Sequence, residues 1–487
     1  MKLFLINHDM RYAAEQILLT LFPGERPEYP DGAPSGERCE IALHEGEKRY
    51  TAVCRLVTKA GEFTRRATAG KNNITDELTK MRLLQKAVKL AFYRAAIASG
   101  VEKPIWGSLT GIRPGKLMSA FLEAGLSDSA ALFHFQNDYD TDLSRAKLCL
   151  NTAHAALDCA ASIEKQDICL YVGIPFCPTR CSYCSFVSSA TKRSLALIPA
   201  YLEALYREIE VTGEIVHDAE LRVISLYLGG GTPTTLSAKQ TDELFSRLES
   251  AFDFSALREI TVEAGRPDTI TAEKLHVLKT HGVSRVSVNP QTMEDAVLAA
   301  IGRKHTAKDV LDAVALVREA GGFEINMDLI AGLPLDTPET FERTLKTVID
   351  INPENITIHT LALKKGSEIM RTDTNRPTAE QVSDMLNFAE KALTNSDFAP
   401  YYLYRQKYMS GGFENVGWQR GGSGNIYNIC IMEELCSIIS LGGGASTKLC
   451  LKNERIERVF NPKYPHEYID SIERIIEKKL IVKELLK

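Results

Sequence analysis

The strongest chemical signal in this chain is three closely spaced cysteines. Cys177, Cys181 and Cys184 form a C-x3-C-x2-C pattern within Tyr171-Val172-Gly173-Ile174-Pro175-Phe176-Cys177-Pro178-Thr179-Arg180-Cys181-Ser182-Tyr183-Cys184. Structural zinc usually takes four ligands in paired C-x2–4-C form, and a fourth local ligand is missing here. Three thiolates on one loop suit a [4Fe–4S] cubane with one iron left open. The amino and carboxylate groups of a small molecule can chelate that iron. Two other readings compete: a zinc site completed by a distant His or Cys, and a chance grouping of buried thiols. The remaining cysteines (Cys39, Cys54, Cys149, Cys159, Cys169, Cys430, Cys436 and Cys450) are scattered and read as apolar fillers. Cys430 and Cys436 are candidate ligands for something else.

Other polar residues stand where a short apolar run ends. Leu228-Gly229-Gly230-Gly231-Thr232-Pro233-Thr234 offers a backbone bare of side chains, which lets a ligand reach its amides and carbonyls. Glu263 closes one run and Asp328 lies inside another, and a carboxylate in either place can hold ribose hydroxyls or a cation. Asn289-Pro290-Gln291 follows a further run, with Arg303 and His305 beyond it. Arg303 is suited to pairing with a carboxylate. Each of these groups has a plainer reading as a satisfied core or surface side chain.

The elements that would position them follow from periodicity. Runs at 168–174, 223–228, 259–263, 285–288, 324–330 and 355–361 are rich in Val, Ile and Leu, and amphipathic helical stretches separate them, as at 199–215, 240–252, 307–320 and 338–351. Six βα units in succession predict a parallel sheet. Right-handed crossovers either wind it on both faces or curl it, and six units are too few for a closed barrel of eight. The expected fold class is therefore α/β with an open, partial (β/α)6 barrel over 166–375. In parallel α/β barrels chemistry gathers where strands end, which is where the residues above lie. Residues 1–165 read as an α+β extension: a strand at 1–7, a helix at 12–21, a proline- and glycine-rich loop at 23–38, strand alternation over 40–57 and a helix over 76–99. Residues 376–487 read as a mixed α/β domain with a helix at 381–393, a Tyr-rich stretch (Tyr401, Tyr402, Tyr404, Tyr408), many glycines and a charged terminal helix.

Composition excludes some classes. A net charge of −5 argues against a general nucleic-acid binder, and Arg65, Arg66, Lys71, Lys80, Arg82 and Lys86 read as a solvated face. The apolar start Met1–Ile6 is too short for a signal-peptide core, and no apolar run reaches spanning length. A cytoplasmic protein with no membrane association is expected, in which a tight cysteine cluster points to metal rather than to disulfides.

Together, IPFC-x3-C-x2-C, GGGTPT, the strand-end Glu263, Ile301-Gly302-Arg303-Lys304-His305 and Asp328-Leu329-Ile330-Ala331-Gly332-Leu333-Pro334 resemble the oxygen-independent coproporphyrinogen III oxidase (coproporphyrinogen dehydrogenase) family of radical-SAM proteins. Gly173 and the segment Gly107-Ser108-Leu109-Thr110-Gly111-Ile112-Arg113-Pro114 look most like its HemZ branch. The resemblance implies that Cys177, Cys181 and Cys184 hold the cluster. Tyr171, Gly230 and Glu263 would contact a first S-adenosylmethionine (SAM), with residues near 445–447 completing that pocket. Tyr183, Gly231, Thr232, Gln291, Arg303, Asp328 and Ala362 match positions that contact a second SAM. It also implies a tetrapyrrole substrate, whose propionates Arg303, Arg405 and Arg420 could pair with, and an electron donor such as flavodoxin or ferredoxin. In the family enzyme one electron passes through the cluster to SAM, and a 5′-deoxyadenosyl radical takes hydrogen from a propionate β-carbon. Loss of CO2 and an electron then leaves a vinyl group.

The chain departs from the dehydrogenase pattern at two places: Gly173 stands where the enzyme has His, and Phe186 where it has an extra Cys. Three functions follow as expectations: oxidative decarboxylation of coproporphyrinogen III to protoporphyrinogen IX, a haem-binding chaperone that keeps cluster and SAM, and a radical-SAM enzyme acting on another substrate.

Overall fold

The computed structural model describes residues 1–184, 190–363, 367–370, 375–406, 412–451 and 455–486; Phe186, Tyr408 and Gly411 lie outside the described residues. The chain forms two compact units, one chiefly Met1–Leu150 and the other running from Asn151 on. The sequence-based boundary at 165 falls inside the second unit. No helix among the described residues is long and apolar enough to cross a membrane.

The first unit has a four-stranded sheet: β1 (Lys2–Ile6) pairs in parallel with β2 (Arg38–Glu45), and β2, β3 (Arg49–Thr58) and β4 (Gly61–Gly70) form an antiparallel meander. Strict alternation in β2 and β3 turns Cys39, Ile41, Ala52, Cys54 and Leu56 inward. Helices Arg11–Leu21 and Glu77–Ala98 cover that face with Ile17, Leu18, Val88 and Phe92. Asp76 starts the second of these helices by accepting the Thr79 N–H at 2.6 Å. Sequence analysis left β4 out because it buries only Ala67 and Ala69 and carries no apolar alternation. Gly107 has φ +54° and lies against Tyr139, where a Cβ would come within 2.1 Å of the carbonyl oxygen, so this turn of the GSLTGIRP segment requires glycine. Of the basic residues read as a solvated face, Lys71, Lys80 and Lys86 pair with Glu45, Glu77 and Asp138.

Among the described residues, the second unit is built on an eleven-stranded sheet. β5 (Asp167–Ile174), β6 (Arg222–Gly230), β7 (Glu259–Glu263), β8 (Arg285–Ser287), β9 (Glu324–Ala331) and β10 (Asn355–Thr360) lie side by side in chain order, all parallel. Because each strand neighbours the next in sequence, right-handed crossovers carry every helix to one face. The sheet therefore curls rather than winding on both faces. Capping boxes at Ser237/Gln240, Thr306/Asp309 and Thr337/Thr340 start three of the crossover helices.

The barrel does not close. β11 (Ala399–Arg405) and β12 (Glu414–Gln419) add antiparallel strands beside β10. On the other flank β13 (Ser437–Gly442) pairs in parallel with β5, and β14 (Ser446–Cys450) and β15 (Ile456–Phe460) continue antiparallel. Residues 376–487, expected as a separate domain, thus extend both edges of the barrel sheet. Their Tyr-rich and Gly-rich stretches hid strands β11 and β13.

Two buried charge clusters hold this unit. At the feet of the strands Arg285 donates to Glu259 at 3.0 Å and to Asn355 at 2.9 Å, and it also pairs with Glu324. Ser225 donates to Glu259 as well, so the cluster spans β6 to β10. Glu259 also accepts the amides of Ile426 and Tyr427 and so anchors the positive end of helix Ile426–Glu433. At the β13 turn Glu208 accepts Gly442 N–H (2.8 Å), Asn461 and Tyr468, with the Lys479 ammonium 3.3 Å away.

Removing one partner of such a cluster leaves an uncompensated buried charge. Arg285→Met is expected to destabilise the second unit by about 3–5 kcal/mol. The check is a lowered urea midpoint together with faster amide exchange in β7–β9.

Candidate functional site

The parallel strands end around a cavity of ≈ 380 Å³. Cys177, Cys181, Cys184 and Tyr183 from the loop after β5 line it, as do Gly230, Gly231 and Thr232 after β6. Glu263, Gln291, Arg303, Asp328 and Ala362 complete the sequence-predicted set on its walls. Tyr171 is the exception. It lies outside the lining, beside the stacked Tyr227 and Tyr427 rings at 6.2 and 6.0 Å, and Tyr227 forms part of the wall. Residues near 445–447 do not line the cavity; Thr447 accepts the Ser440 N–H and contacts Lys479.

The glycine turn is tied to the base of the cysteine loop. Gly231 N–H donates to Ile174 O at 2.9 Å and Thr232 N–H to Phe176 O at 2.7 Å. A Cβ on Gly231 would sit 2.5 Å from the Phe176 carbonyl oxygen, and Gly230 has φ +108°, so the two loops approach as closely as backbones can. Thr232 Oγ1 lies 3.5 Å from Cys177 Sγ.

Two guanidiniums face Cys181. Arg266, which sequence analysis missed, reaches its Sγ at 3.7 Å and holds Thr179 Oγ1 at 2.6 Å. Arg303 donates to Asn289 O at 2.7 Å, Gly265 O at 3.2 Å and Tyr183 OH at 3.3 Å, and its Nε is buried with no hydrogen-bond partner among the described residues. No fourth cysteine lines the cavity among the described residues. Three thiols with two guanidiniums behind them fit a cubane held at three corners, and the polar wall opposite leaves room for the group that caps the fourth.

The far wall is acidic, and its two carboxylates are tuned apart. Burial pushes Glu263 up to about 7, against the Tyr227 hydroxyl at 2.8 Å and the Gly230 amide at 3.3 Å, which favour its charged form. Burial acts on Asp328 in the same direction, but His359, 3.8 Å away, and Asn326 outweigh it and hold Asp328 below its ordinary value. Asn289 adds a third contact at 2.8 Å. Gln291 takes a left-handed conformation, φ +69°, rare for a non-glycine residue, and bridges to β9 through Asp328 O and the Ile330 amide. Tyr402, Tyr404 and Asn415 from β11 and β12 form the remaining side. They were beyond sequence reasoning because their strands were not recognised.

Two of the three arginines proposed for propionates do not reach this space. Arg420 lies over the Phe398 ring at 4.3 Å and donates to Ser396 O, and Arg405 is buried at the end of β11 outside the cavity lining. Gly173 sits against β13, where a Cβ would be 3.0 Å from Gly443 O and 3.5 Å from Leu441 O. Tyr201 OH bonds both Gly173 O and Gly443 N–H, sealing that contact.

Residues 171–348 match the profile of the Radical SAM superfamily. The chain is 39% identical over 381 residues to the oxygen-independent coproporphyrinogen-III oxidase-like protein HemZ of Bacillus subtilis, covering 77% of this chain and 76% of that protein. It is 28% identical over 307 residues to the haem chaperone HemW of Haemophilus influenzae, covering 62% of this chain and 75% of that one. Among solved structures, coproporphyrinogen III oxidase (HemN) from Escherichia coli, a radical SAM enzyme, superposes with a TM-score of 0.51 at 24% identity, covering 66% of this chain and 73% of that one. That likeness shows the shared fold.

A carboxylate poised near 7 makes cation binding pH-dependent. A charged Glu263 would attract a cationic ligand such as SAM and a protonated one would not. SAM affinity is expected to fall roughly tenfold per pH unit as pH drops below 7. Anaerobic titration of SAM binding at several pH values checks this, and Glu263→Gln should bind weakly at every pH with the slope gone.

Proposed function

Because the chain belongs to the oxygen-independent coproporphyrinogen-III oxidase-like HemZ family of radical SAM proteins, we propose that it carries out oxidative decarboxylation of coproporphyrinogen III to protoporphyrinogen IX. The observation that supports this reading best is the convergence of the three-cysteine loop, the glycine turn, Glu263, Gln291, Arg303 and Asp328 on one cavity. In this reading Cys177, Cys181 and Cys184 hold the [4Fe–4S] cluster, which supplies the electron that cleaves SAM. Glu263 and Gly230 take the cofactor's charged end, and Gln291, Asp328 and Ala362 hold ribose and amino groups of a second SAM or of the substrate side. Arg266 and Arg303 offset the charge of the thiolates. A cytoplasmic location and a small protein electron donor of flavodoxin or ferredoxin type belong to the same proposal.

One observation favours a second reading, a haem-binding chaperone that retains cluster and SAM. The place of the dehydrogenase's histidine is held by Gly173, where a Cβ would come within 3.0 Å of Gly443 O, so the chain beside it must shift to admit a side chain. Similarity to HemW points the same way.

The reaction separates these readings. Anaerobically reconstituted protein given reductant, SAM and coproporphyrinogen III is expected to yield 5′-deoxyadenosine and a vinyl-bearing product in step. Tight haem binding with no vinyl product would replace the first reading by the second, and 5′-deoxyadenosine with neither would point to another substrate. Gly173→His is expected not to raise turnover and to destabilise the protein by about 1–3 kcal/mol through overpacking, read as a lowered thermal midpoint.

A further inference from the structure

A second group of cysteines lies apart from the cavity. Cys169 is in β5, Cys430 in helix Ile426–Glu433 and Cys436 just before β13. All three are buried, and their Sγ atoms all lie within 4.8 Å of one another. The Cys169 and Cys436 sulfurs are 3.7 Å apart. Cys159, near the end of the helix that stops at Ala161, packs on the same group and hydrogen-bonds Cys430. Cys450 is committed elsewhere, with its Sγ on the Cys436 carbonyl oxygen at 3.2 Å.

We infer that Cys169, Cys430 and Cys436, joined by Cys159, form a structural tetrathiolate site for a zinc-class divalent cation. The first argument is distance. Four sulfurs at about 2.3 Å from a tetrahedral zinc are about 3.8 Å from one another, which matches the Cys169–Cys436 separation. A disulfide needs about 2.05 Å. A cubane spreads its cysteines wider, since each binds a different iron. The second argument is origin. Cysteines used as fillers follow the apolar period of their own element and need not bring their sulfurs to a point. Here three thiols come from three separate elements and meet at one point, and Cys159 of a fourth element reaches the group through Cys430. The third is surroundings: Ile224, Ile438 and Tyr427 enclose the group in an apolar shell, which excludes water from the metal. Binding releases the thiol protons to solvent as the thiolates form.

The site would tie the start of β5 to β13, where Cys169 faces Ile438 in register. It would also fix the helix that carries Tyr427, whose ring stacks on Tyr227 at 4.5 Å beside Glu263.

The experiment uses the full chain with Cys177, Cys181 and Cys184 all changed to Ala, which removes the iron of the cavity cluster from the count. After dialysis against EDTA, metal analysis should find about one zinc per chain. Growth in cobalt should give the thiolate charge-transfer band and visible d–d bands of tetrahedral cobalt. Adding Cys430→Ser should cut zinc at least tenfold. Should that variant not accumulate, the zinc count and cobalt spectrum of the triple variant decide. A metal-free triple variant, or a Cys169–Cys436 disulfide found by mass mapping, would overturn the inference.

Discussion

Arg285 is a guanidinium taken almost wholly out of water, and such a charge survives burial only where carboxylates and carbonyls replace its hydration. It does so at the feet of the strands, where Glu259, Glu324 and Asn355 converge on it. The requirement sets the relative heights of β7 to β10. Once those feet are level, Glu263, Gln291 and Asp328 emerge at the opposite ends facing a common space. The same Glu259 caps helix Ile426–Glu433, so the helix beneath the cavity takes its position from the same cluster.

The cavity repeats this logic with the signs divided. Positive charge gathers where thiolates belong, at Arg266 and Arg303, and negative charge on the wall across from them. Glu263 and Asp328 are both half-buried, yet Glu263 is pushed up and Asp328 held down, because Asp328 is surrounded by donors and Glu263 has few. Environments that push paired carboxylates apart are a common way to divide roles between them.

The six barrel strands were legible because parallel strands covered by helices are apolar on both faces and leave unbroken runs, as in β5 and β9. The cysteine spacing, the glycine triplet and the strand-end carboxylates were legible for a related reason: strand ends are where such residues stand out from the apolar background. Where a partner comes from far along the chain, the sequence is silent. Arg266 is important because it folds back onto Thr179 and Cys181, and nothing local marks that return. β13 is as buried as β5, but its two serines and closing glycine masked it, and its pairing with β5 joins two segments that no periodicity connects. The missing side chain at Gly173 looked like a lost catalytic group in the sequence. In the structure it is also a packing solution.

The pairing of β5 with β13 has a bearing on how the protein is made. Cys436 is 267 residues after Cys169, and at roughly 5–20 residues per second the ribosome needs on the order of ten seconds to a minute to bridge that interval. Throughout it the nascent strand that leads into Cys177 has an open edge. Its pairing with β13 waits until that later segment has left the exit tunnel.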